Sequence, residues 1–268
     1  MTDPAMTDTP TVVPITDVVL ETRGLTKSFR GFTAVRDLDF TVRRGTIHAL
    51  IGPNGAGKTT VFNLLTKFLA PTSGHILHDG VDITAASPAA IARRGIGRSF
   101  QISATFPHLT ALENVRVALQ RRTPGRFHFW RPESTLAALN DRALALLAEV
   151  GLEARAQEPA GTLPYGAKKA LEIATTLALD PDVLLLDEPL AGMGREDVAR
   201  TAALIRRTAQ KENGRRTVVM VEHNLGVVAD LSDRITVLQR GEILAEGSYA
   251  DIAADRAVRE AYMGTGHA

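Results

Sequence analysis

Short, unbroken runs of apolar residues recur along this chain and alternate with longer stretches in which apolar residues stand three and four apart. The apolar runs are Ile47–Ile51, Val183–Asp187, Thr217–Val221 and Ile235–Leu238. Strands that are buried on both faces have the unbroken pattern, whereas the spacing of three and four is typical of an amphipathic helix. The alternation therefore predicts an α/β fold with a mainly parallel sheet covered by helices on both faces.

The N-terminal part of the chain has a different pattern. Residues 1–17 have neither the basic nor the apolar region of a secretory signal, and we expect them to form a disordered tail. Extended segments separated by turn residues follow. The predicted strands here are one from Val18 with a turn at Gly24, then Ala34–Val42, Gly74–Leu77 and Val81–Ile83, the last two joined by an Asp79-Gly80 hairpin.

Helical periodicity dominates between about residues 98 and 166. The apolar residues that carry it are Leu112, Val115, Leu119, Leu136, Leu139, Ala143, Leu146, Leu147 and Val150. We interpret this stretch as a helical subdomain inserted into the strand-and-helix core. The other predicted helices are Thr59–Leu69, Pro88–Arg94, Ala167–Leu179 and Arg195–Asn213. The sequence contains no internal repeat, so we expect a single domain over 18–247 and a helical C-terminal tail over 248–268.

Composition narrows the possible functions only slightly. The chain has 268 residues, with 31 basic and 30 acidic side chains and a net charge of +1. Such a balance offers no bulk attraction to nucleic acid or to an anionic membrane. There is no cysteine, which excludes disulfides, thiolate metal sites and cysteine nucleophiles. No apolar run is long enough to span a bilayer, so any membrane role must be exercised from the surface through partners.

The apolar run Ile47–Ile51 leads into the clearest motif of the chain. Gly52-Pro-Asn-Gly-Ala-Gly57-Lys58-Thr59 matches the phosphate-binding pattern G-x-x-x-x-G-K-[ST] in full. An amphipathic run follows, so the motif lies between a strand and a helix, as this chemistry requires. Glycines let backbone N–H groups approach a phosphate, and the helix adds the positive end of its dipole. The alternative, a glycine-rich turn before an ordinary helix, leaves the Lys-Thr pair unexplained.

Each residue type in this loop has a distinct chemical use. Lys58 is the candidate for contact with the β and γ phosphates, and Thr59 is the candidate hydroxyl ligand of Mg²⁺. The candidate nucleotide-binding residues of the loop are Gly52, Pro53, Asn54, Gly55, Ala56, Gly57, Lys58, Thr59 and Thr60. The motif thus predicts a nucleotide phosphate with Mg²⁺.

Two carboxylates end another apolar run. Asp187 closes the run that starts at Val183, and Glu188 follows it directly. A carboxylate at the end of a buried strand is where a phosphate-loop fold places the residue that holds Mg²⁺, so Asp187 is the metal candidate. Glu188, leaving the strand, is the candidate to orient or deprotonate the attacking water. Without the phosphate loop, a strand that ends at a polar turn would be the better interpretation.

These elements, in this order, resemble the ATP-binding-cassette (ABC) ATPases over about Val18 to Gly247. The further motifs that carry the resemblance are Phe29 at the adenine-stacking position, Ser99-Phe100-Gln101 at the glutamine loop, Leu163-Pro-Tyr-Gly166-Ala167 at the signature, Ala191-Gly-Met193-Gly194 at the D-loop and His223 at the switch histidine. The resemblance implies a phosphate-loop core with an N-terminal antiparallel β subdomain and ATP as the nucleotide. It also implies that Gln101 contacts the Mg²⁺ and water site and that His223 helps Glu188 to position the water.

The signature and the D-loop depart from the family pattern. Pro164 replaces the signature serine and has neither a hydroxyl nor an N–H group. Proline suits a helix start, and the N–H groups of Tyr165 and Gly166 are then the candidates to face the ATP of a second subunit. We therefore predict a functional but weaker ATP sandwich. Ala191 and Gly194 replace the usual D-loop serine and aspartate, so we expect the paired cassette to supply complementary contacts.

A narrower resemblance is to the ATP-binding subunits of branched-chain amino-acid importers. The segments that carry it are Gly97-Arg-Ser-Phe-Gln101, the L-P-Y-G signature, L-E-I-A from Leu171, D-E-P-L-A-G-M, E-H-N-L and Ala261-Tyr-Met-Gly264. This resemblance implies a second ATPase subunit, two membrane permeases and, indirectly, a periplasmic or extracellular binding protein. It also implies a peripheral position on the cytoplasmic face of the inner membrane, with the permease contacting residues near Gln101 to Leu109.

Three other functions stay open on the sequence. Related cassettes import amides, urea or aromatic acids or extract lipopolysaccharide, and the ATPase itself does not contact the cargo. A soluble ABC protein acting on ribosomes or DNA usually has two cassettes or a long coiled coil, and this chain has neither. A nucleotide-binding regulator without turnover is the third alternative.

The stretch Arg121–Arg131 is basic and aromatic and has three interpretations. Its arginines and aromatic rings are compatible with a permease or lipid headgroups, with single-stranded nucleic acid, or with a loop whose rings pack into the helical subdomain. Because no wider basic surface accompanies it, we expect no nucleic-acid partner.

Overall fold

The computed structural model describes residues 17–99, 105–121, 139–211 and 214–263. The strands are β1 (Val18–Phe29), β2 (Phe32–Leu38), β3 (Thr41–Arg43), β4 (Ile47–Ile51), β5 (Ser73–His78), β6 (Val81–Asp82), β7 (Ile96–Ser99), β8 (Val183–Asp187), β9 (Gln210–Lys211), β10 (Gly214–Arg215), β11 (Thr217–Val221), β12 (Arg234–Gln239) and β13 (Glu242–Gly247). The α-helices are α1 (Lys58–Leu65), α2 (Pro88–Arg93), α3 (Ala111–Gln120), α4 (Asn140–Glu149), α5 (Tyr165–Leu177), α6 (Arg195–Ala209), α7 (Leu225–Leu231), α8 (Tyr249–Ala254) and α9 (Arg256–Met263).

The larger sheet has the strand order β13-β12-β4-β11-β8-β7. All neighbouring pairs from β12 to β7 are parallel, and β13 is an antiparallel edge strand. In the register of this sheet, Val221 lies opposite both Leu50 and Asp187. The carboxyl ends of β4, β11 and β8 therefore meet at one edge, and the mainly parallel sheet predicted from the apolar runs is confirmed.

The central strands are buried on both faces because each contributes alternate residues to a different hydrophobic core. Ala49 packs into the core that contains α3 to α6, whereas its neighbour Leu50 packs into the core shared with β1 and α1. Leu184 and Leu185 on β8 divide in the same way. This two-sided burial is the physical reason for the unbroken apolar runs.

The second sheet is antiparallel, with the order β2-β1-β5-β6 and β3 paired to β1. The turn predicted at Gly24 is wrong, because β1 continues through it. Gly24 has a φ of 55° and lies where the pairing of β1 shifts register, and its N–H donates to the Asp39 side chain at 2.6 Å. The glycine thus forms a bulge within one long strand.

Several helix boundaries need correction, and one helix was missed. The helix predicted over Arg195–Asn213 ends at Ala209, after which β9 pairs with β10 in a short hairpin. Helix α1 ends at Leu65 and not at Leu69, and Lys67 just beyond it has a φ of 61°. Helix α7 was not predicted; it begins after Asn224, whose side chain accepts the N–H of Val227 at 3.3 Å.

Candidate functional site

The phosphate-loop motif forms a tight connection between β4 and α1 in which glycine is required by the backbone. Gly52 has a φ of 149°, and a Cβ atom there would lie 2.2 Å from the Leu238 carbonyl oxygen. Gly57 has a φ of 104°, and its Cβ would lie 2.6 Å from the Ala34 carbonyl oxygen. Side chains at either position would push the loop away from β2 and β12.

Lys58 lies across this loop at the start of α1. Its ammonium nitrogen donates to the Gly52 and Pro53 carbonyl oxygens at 2.7 and 3.0 Å. Burial lowers the pKa of Lys58, and the charges of Glu188 and Asp187 oppose that shift. The lysine and both predicted carboxylates are therefore close enough to interact electrostatically, which unites motifs that are far apart in the sequence.

The carboxylates lie at the end of β8, beside the phosphate loop. Asp187 is the last residue of the strand, and the half-buried Glu188 leaves it with a φ of 47°. The Glu188 N–H donates to the Val221 carbonyl oxygen at 3.0 Å, which ties this turn to the end of β11. Residues other than glycine rarely adopt the left-handed backbone conformation, and those that do are often found at functional sites.

The two carboxylate oxygens of Asp187 differ: one accepts a hydrogen bond, and the other has no hydrogen-bond partner among the described residues. Its side chain is completely buried, and Oδ2 accepts a hydrogen bond from Arg98 at 2.6 Å. Oδ1 is buried and has no partner among the described residues. A carboxylate oxygen is a preferred ligand of Mg²⁺, and the exposed Thr59 at the start of α1 offers a hydroxyl. This donor set fits a Mg²⁺ ion that is bound mainly by nucleotide phosphates.

The switch histidine follows β11, next to a buried glutamate that sequence reasoning missed. His223 is exposed, and its backbone N–H donates to Oε2 of Glu222 at 3.2 Å. Oε1 of Glu222 accepts the N–H of Leu190 at 3.0 Å. Burial raises the pKa of the Glu222 carboxyl. Glu222 thus joins the switch histidine to the beginning of the D-loop. An acidic residue directly after the buried apolar run Val218–Val221 was the available signal.

We expect Glu222→Gln to weaken both the fold and the catalysis. A carboxylate accepts from Leu190 and His223 with separate oxygens, whereas an amide offers one acceptor and leaves one N–H unpaired. The free energy of unfolding should fall by about 1–2 kcal/mol, and ATP turnover should fall more than ATP affinity. Denaturant unfolding, phosphate release and nucleotide titration measure these quantities, with the exposed Glu149→Gln as the matched control. Unchanged stability and turnover in Glu222→Gln would contradict this role.

The signature segment begins α5 two residues earlier than predicted. Pro164 is the N-cap, and the first helical residues are Tyr165 and Gly166, whose N–H groups have no acceptor within the helix. That they face a phosphate of a second subunit stays a prediction. The Tyr165 hydroxyl also donates to the Ala191 carbonyl oxygen at 3.1 Å, so the signature is linked to the D-loop of the same chain. Asp197 of α6 lies against Gly166, where a Cβ would be 3.1 Å from its carboxyl carbon.

Of the remaining candidate site residues, the structure describes Phe29 but not Gln101. Phe29 is the last residue of β1, 45% exposed, with the Lys27 ammonium 5.2 Å from the ring centroid. An exposed ring at this position is available for stacking on a base. Gln101 lies outside the described residues, as do residues 122–131 of the basic and aromatic stretch.

The C-terminal segment packs beside the phosphate loop. A cavity of about 360 Å³ separates them; it is lined by Pro53, Asn54, Gly55, Ala56, Gln239, Arg240, Glu260 and Ala261. Burial raises the pKa of Tyr262 to about 12, and the backbone N–H of Gly52 opposes this shift. The last helix and the phosphate loop therefore line the same cavity, which the sequence alone did not indicate.

Comparison with known proteins identifies the family. A model of the ABC transporter family matches residues 35–191, more than half of the chain. The chain belongs to the ABC transporter family. The predicted family, the predicted fold and the predicted activity of an ATP-hydrolysing cassette are thereby confirmed. A second model, described as a branched-chain amino acid ATP-binding cassette transporter, matches residues 242–268. Within the described residues, no helix is long and apolar enough to cross a membrane.

Individual relatives agree with this assignment over nearly the whole chain. The chain is 38% identical to the high-affinity branched-chain amino acid transport ATP-binding protein BraF of Pseudomonas aeruginosa, covering 92% of this chain and 98% of BraF. It is 37% identical to LivG of Escherichia coli, a protein of the same description, with the same coverage.

Solved structures agree as well. An ATP-binding cassette of an ABC transporter in its ADP conformation is 28% identical, with a TM-score of 0.79 over 93% of this chain and 100% of that one. A dimeric cassette in a post-hydrolysis state, bound to ADP and phosphate, is 26% identical, with a TM-score of 0.73 over 86% of this chain and 98% of that one.

Proposed function

We propose that this cassette is the ATP-hydrolysing subunit of a membrane importer for branched-chain or related amino acids. The observation that carries the proposal is the match of residues 242–268 to a branched-chain amino acid cassette family, in addition to the likeness to BraF and LivG. The C-terminal match matters because this segment lies outside the general cassette match at 35–191. Uptake of amides, urea or aromatic acids and lipopolysaccharide extraction are the alternative outcomes of the test below.

The proposed assembly contains a second ATPase subunit and two permeases, supplied by a periplasmic or extracellular binding protein. The cassette would then be a peripheral protein on the cytoplasmic face of the inner membrane. Support for pairing comes from the dimeric cassette among the similar structures and from the exposed start of α5. The N–H groups of Tyr165 and Gly166 lie in the first turn of α5 and have no acceptor within that helix, and the γ-phosphate held by a second subunit would satisfy them.

In the proposed mechanism the nucleotide is bound by the phosphate loop and Phe29. The loop N–H groups and the Lys58 ammonium contact the phosphates, which requires Lys58 to exchange its bonds to Gly52 and Pro53 for phosphate oxygens. Asp187 and Thr59, with Gln101, would hold Mg²⁺. When bound, Mg²⁺ neutralises charge on the β and γ phosphates.

Glu188 and His223 act on the water that attacks the γ-phosphorus. Glu188 accepts a proton from this water as the water oxygen bonds to the γ-phosphorus. The bond from that phosphorus to the β–γ bridging oxygen breaks, and ADP leaves with that oxygen. His223 orients the water and the γ-phosphate. Closure of the dimer depends on the γ-phosphate, since only this group bridges one phosphate loop and the other signature. Its loss on hydrolysis removes that contact, and the dimer reopens.

The deciding experiment is transport by the intact complex. The cassette is co-purified with its permease subunits, and the complex is reconstituted in proteoliposomes with internal ATP and supplied with the binding protein. We expect uptake of leucine, isoleucine or valine that stops when Lys58 is replaced by Ala. Uptake of urea, an amide or an aromatic acid in place of these amino acids, or recovery of the cassette on ribosomes with no permease, would overturn the proposal.

A further inference from the structure

Arg98 connects the helix after the phosphate loop to the proposed metal ligand. One terminal nitrogen of its guanidinium, Nη2, donates to Oδ2 of Asp187 at 2.6 Å. The other, Nη1, donates to Oδ1 of Asn63 at 2.7 Å and to the Thr66 hydroxyl at 3.2 Å. Asn63 belongs to α1, Thr66 is its C-cap, and Asp187 ends β8, so a single planar group fixes the two elements relative to each other.

The guanidinium has little freedom to leave this position. The Arg98 side chain is only 9% exposed, and its central carbon lies 5.8 Å from the Phe62 ring centroid and 5.9 Å from that of Phe68. Its own strand, β7, is paired in parallel with β8, with Arg98 opposite Leu185. Burial, the two neighbouring rings and three hydrogen-bond acceptors therefore restrict the rotamers of Arg98.

The contact determines what Asp187 can offer to a ligand. Because Oδ2 is engaged by Arg98, only Oδ1 is available, and Oδ1 has no partner among the described residues. A buried ion pair contributes little net stability, since the cost of desolvating both charges offsets their attraction. Stability alone is thus a weak reason for this pair, whereas a fixed carboxylate direction is a specific consequence of it.

We propose that Arg98 is a positioning residue, which holds Asp187 by Oδ2 and so presents Oδ1 alone to the Mg²⁺ that accompanies ATP. The inference rests on the proposed role of Asp187 as a metal ligand. The same guanidinium also binds Asn63 and Thr66 of the α1 segment. It therefore holds Asp187 at a fixed position relative to Lys58 and Thr59, which begin α1. Groups that orient a metal ligand typically change metal affinity by about 10–100-fold when they are replaced.

The test separates positioning from charge by means of Arg98→Lys. Lysine keeps the positive charge but has a single nitrogen, which does not span Asp187 and α1 as the guanidinium fork does. ATP binding to the purified full chain is titrated by calorimetry with Mg²⁺ and with EDTA, and the ratio of the two affinities gives the Mg²⁺-dependent gain. We expect this gain to fall about tenfold in Arg98→Lys while the affinity in EDTA stays within about twofold of wild type. Manganese resonance spectra of the nucleotide complex provide a second readout of the metal environment.

Three further variants keep the outcome interpretable. Asp187→Asn should abolish the gain; if it does not, the proposed metal role of Asp187 fails, and the inference about Arg98 fails with it. If Asp187→Asn loses the gain but folded Arg98→Lys keeps it in full, Arg98 is a structural residue only. Arg98→Met, whose apolar side chain can pack against the Phe62 and Phe68 rings, replaces Arg98→Lys if the latter does not fold. Because methionine removes both the charge and the fork, a gain kept in full by folded Arg98→Met would also make Arg98 a structural residue only. Asn63→Ala removes a partner of Arg98 but leaves its pair with Asp187, and we expect it to lower the gain by less.

Discussion

Replacement of Glu188 by Gln is expected to leave ATP binding within about twofold of wild type and to reduce ATP turnover by about 10²–10⁴-fold. The amide has nearly the same shape as the carboxylate, so the left-handed turn at Glu188 and its backbone bond to Val221 should persist. The amide cannot accept the proton of the attacking water. Nucleotide titration and phosphate release from the assembled transporter measure the two effects separately.

The matched control is Glu196→Gln, the same chemical change at an exposed position of α6. Glu196 pairs with Arg200 on the surface, with both side chains more than 70% exposed. Exposed ion pairs contribute little to the free energy of unfolding, and we expect ATP turnover to be unchanged in Glu196→Gln. Turnover near the wild-type rate in Glu188→Gln would remove Glu188 from the role of general base.

Replacement of Gly52 by Ala is expected to abolish high-affinity ATP binding, whereas Gly55→Ala should retain it. The added methyl at Gly52 would lie 2.2 Å from the Leu238 carbonyl oxygen, so either the loop or β12 must move. At Gly55, whose φ is 77°, the methyl meets nothing within 4 Å. Gly55→Ala therefore has only the backbone cost of a left-handed residue, about 1–2 kcal/mol.

Calorimetric titration of ATP with Mg²⁺, together with thermal unfolding, distinguishes the two glycine variants. The affinity of Gly52→Ala should fall by more than about tenfold, and its melting temperature should be the lower of the two. Equal losses in both variants would indicate that the loop depends on glycine flexibility in general and not on the close approach of Gly52 to β12.

Much of the fold could be predicted because the signals are local. The unbroken apolar runs of β4, β8 and β11 report burial on both faces, and Gly52 to Thr59 carries its own strand, loop and helix context. Errors arose where a non-local contact decided the local conformation. Gly24 remains in a strand because Asp39 and two neighbouring strands accommodate a bulge, and α6 stops at Ala209 because a hairpin follows.

The candidate site shows the same division. Lys58, Asp187, Glu188 and His223 were predicted from motifs, and the structure brings the ends of their strands to one edge of the sheet. Arg98 and Glu222 were missed, because a charged residue in or after a short strand gives no sign of its partner. Their partners lie 89 and 32 positions away along the chain.

By itself, the sequence indicated the chemistry of this protein: a phosphate loop, a candidate metal carboxylate, a candidate base and their membership of one family of ATPases. These properties depend on residue type and short-range spacing, both of which can be read directly from the sequence. Only the tertiary structure decided which oxygen of Asp187 remains available, which groups hold the D-loop and the switch histidine, and that the C-terminal helix lies beside the phosphate loop. Such properties depend on strand order and on burial. A charged side chain needs a fixed partner inside the protein only after folding has removed it from water.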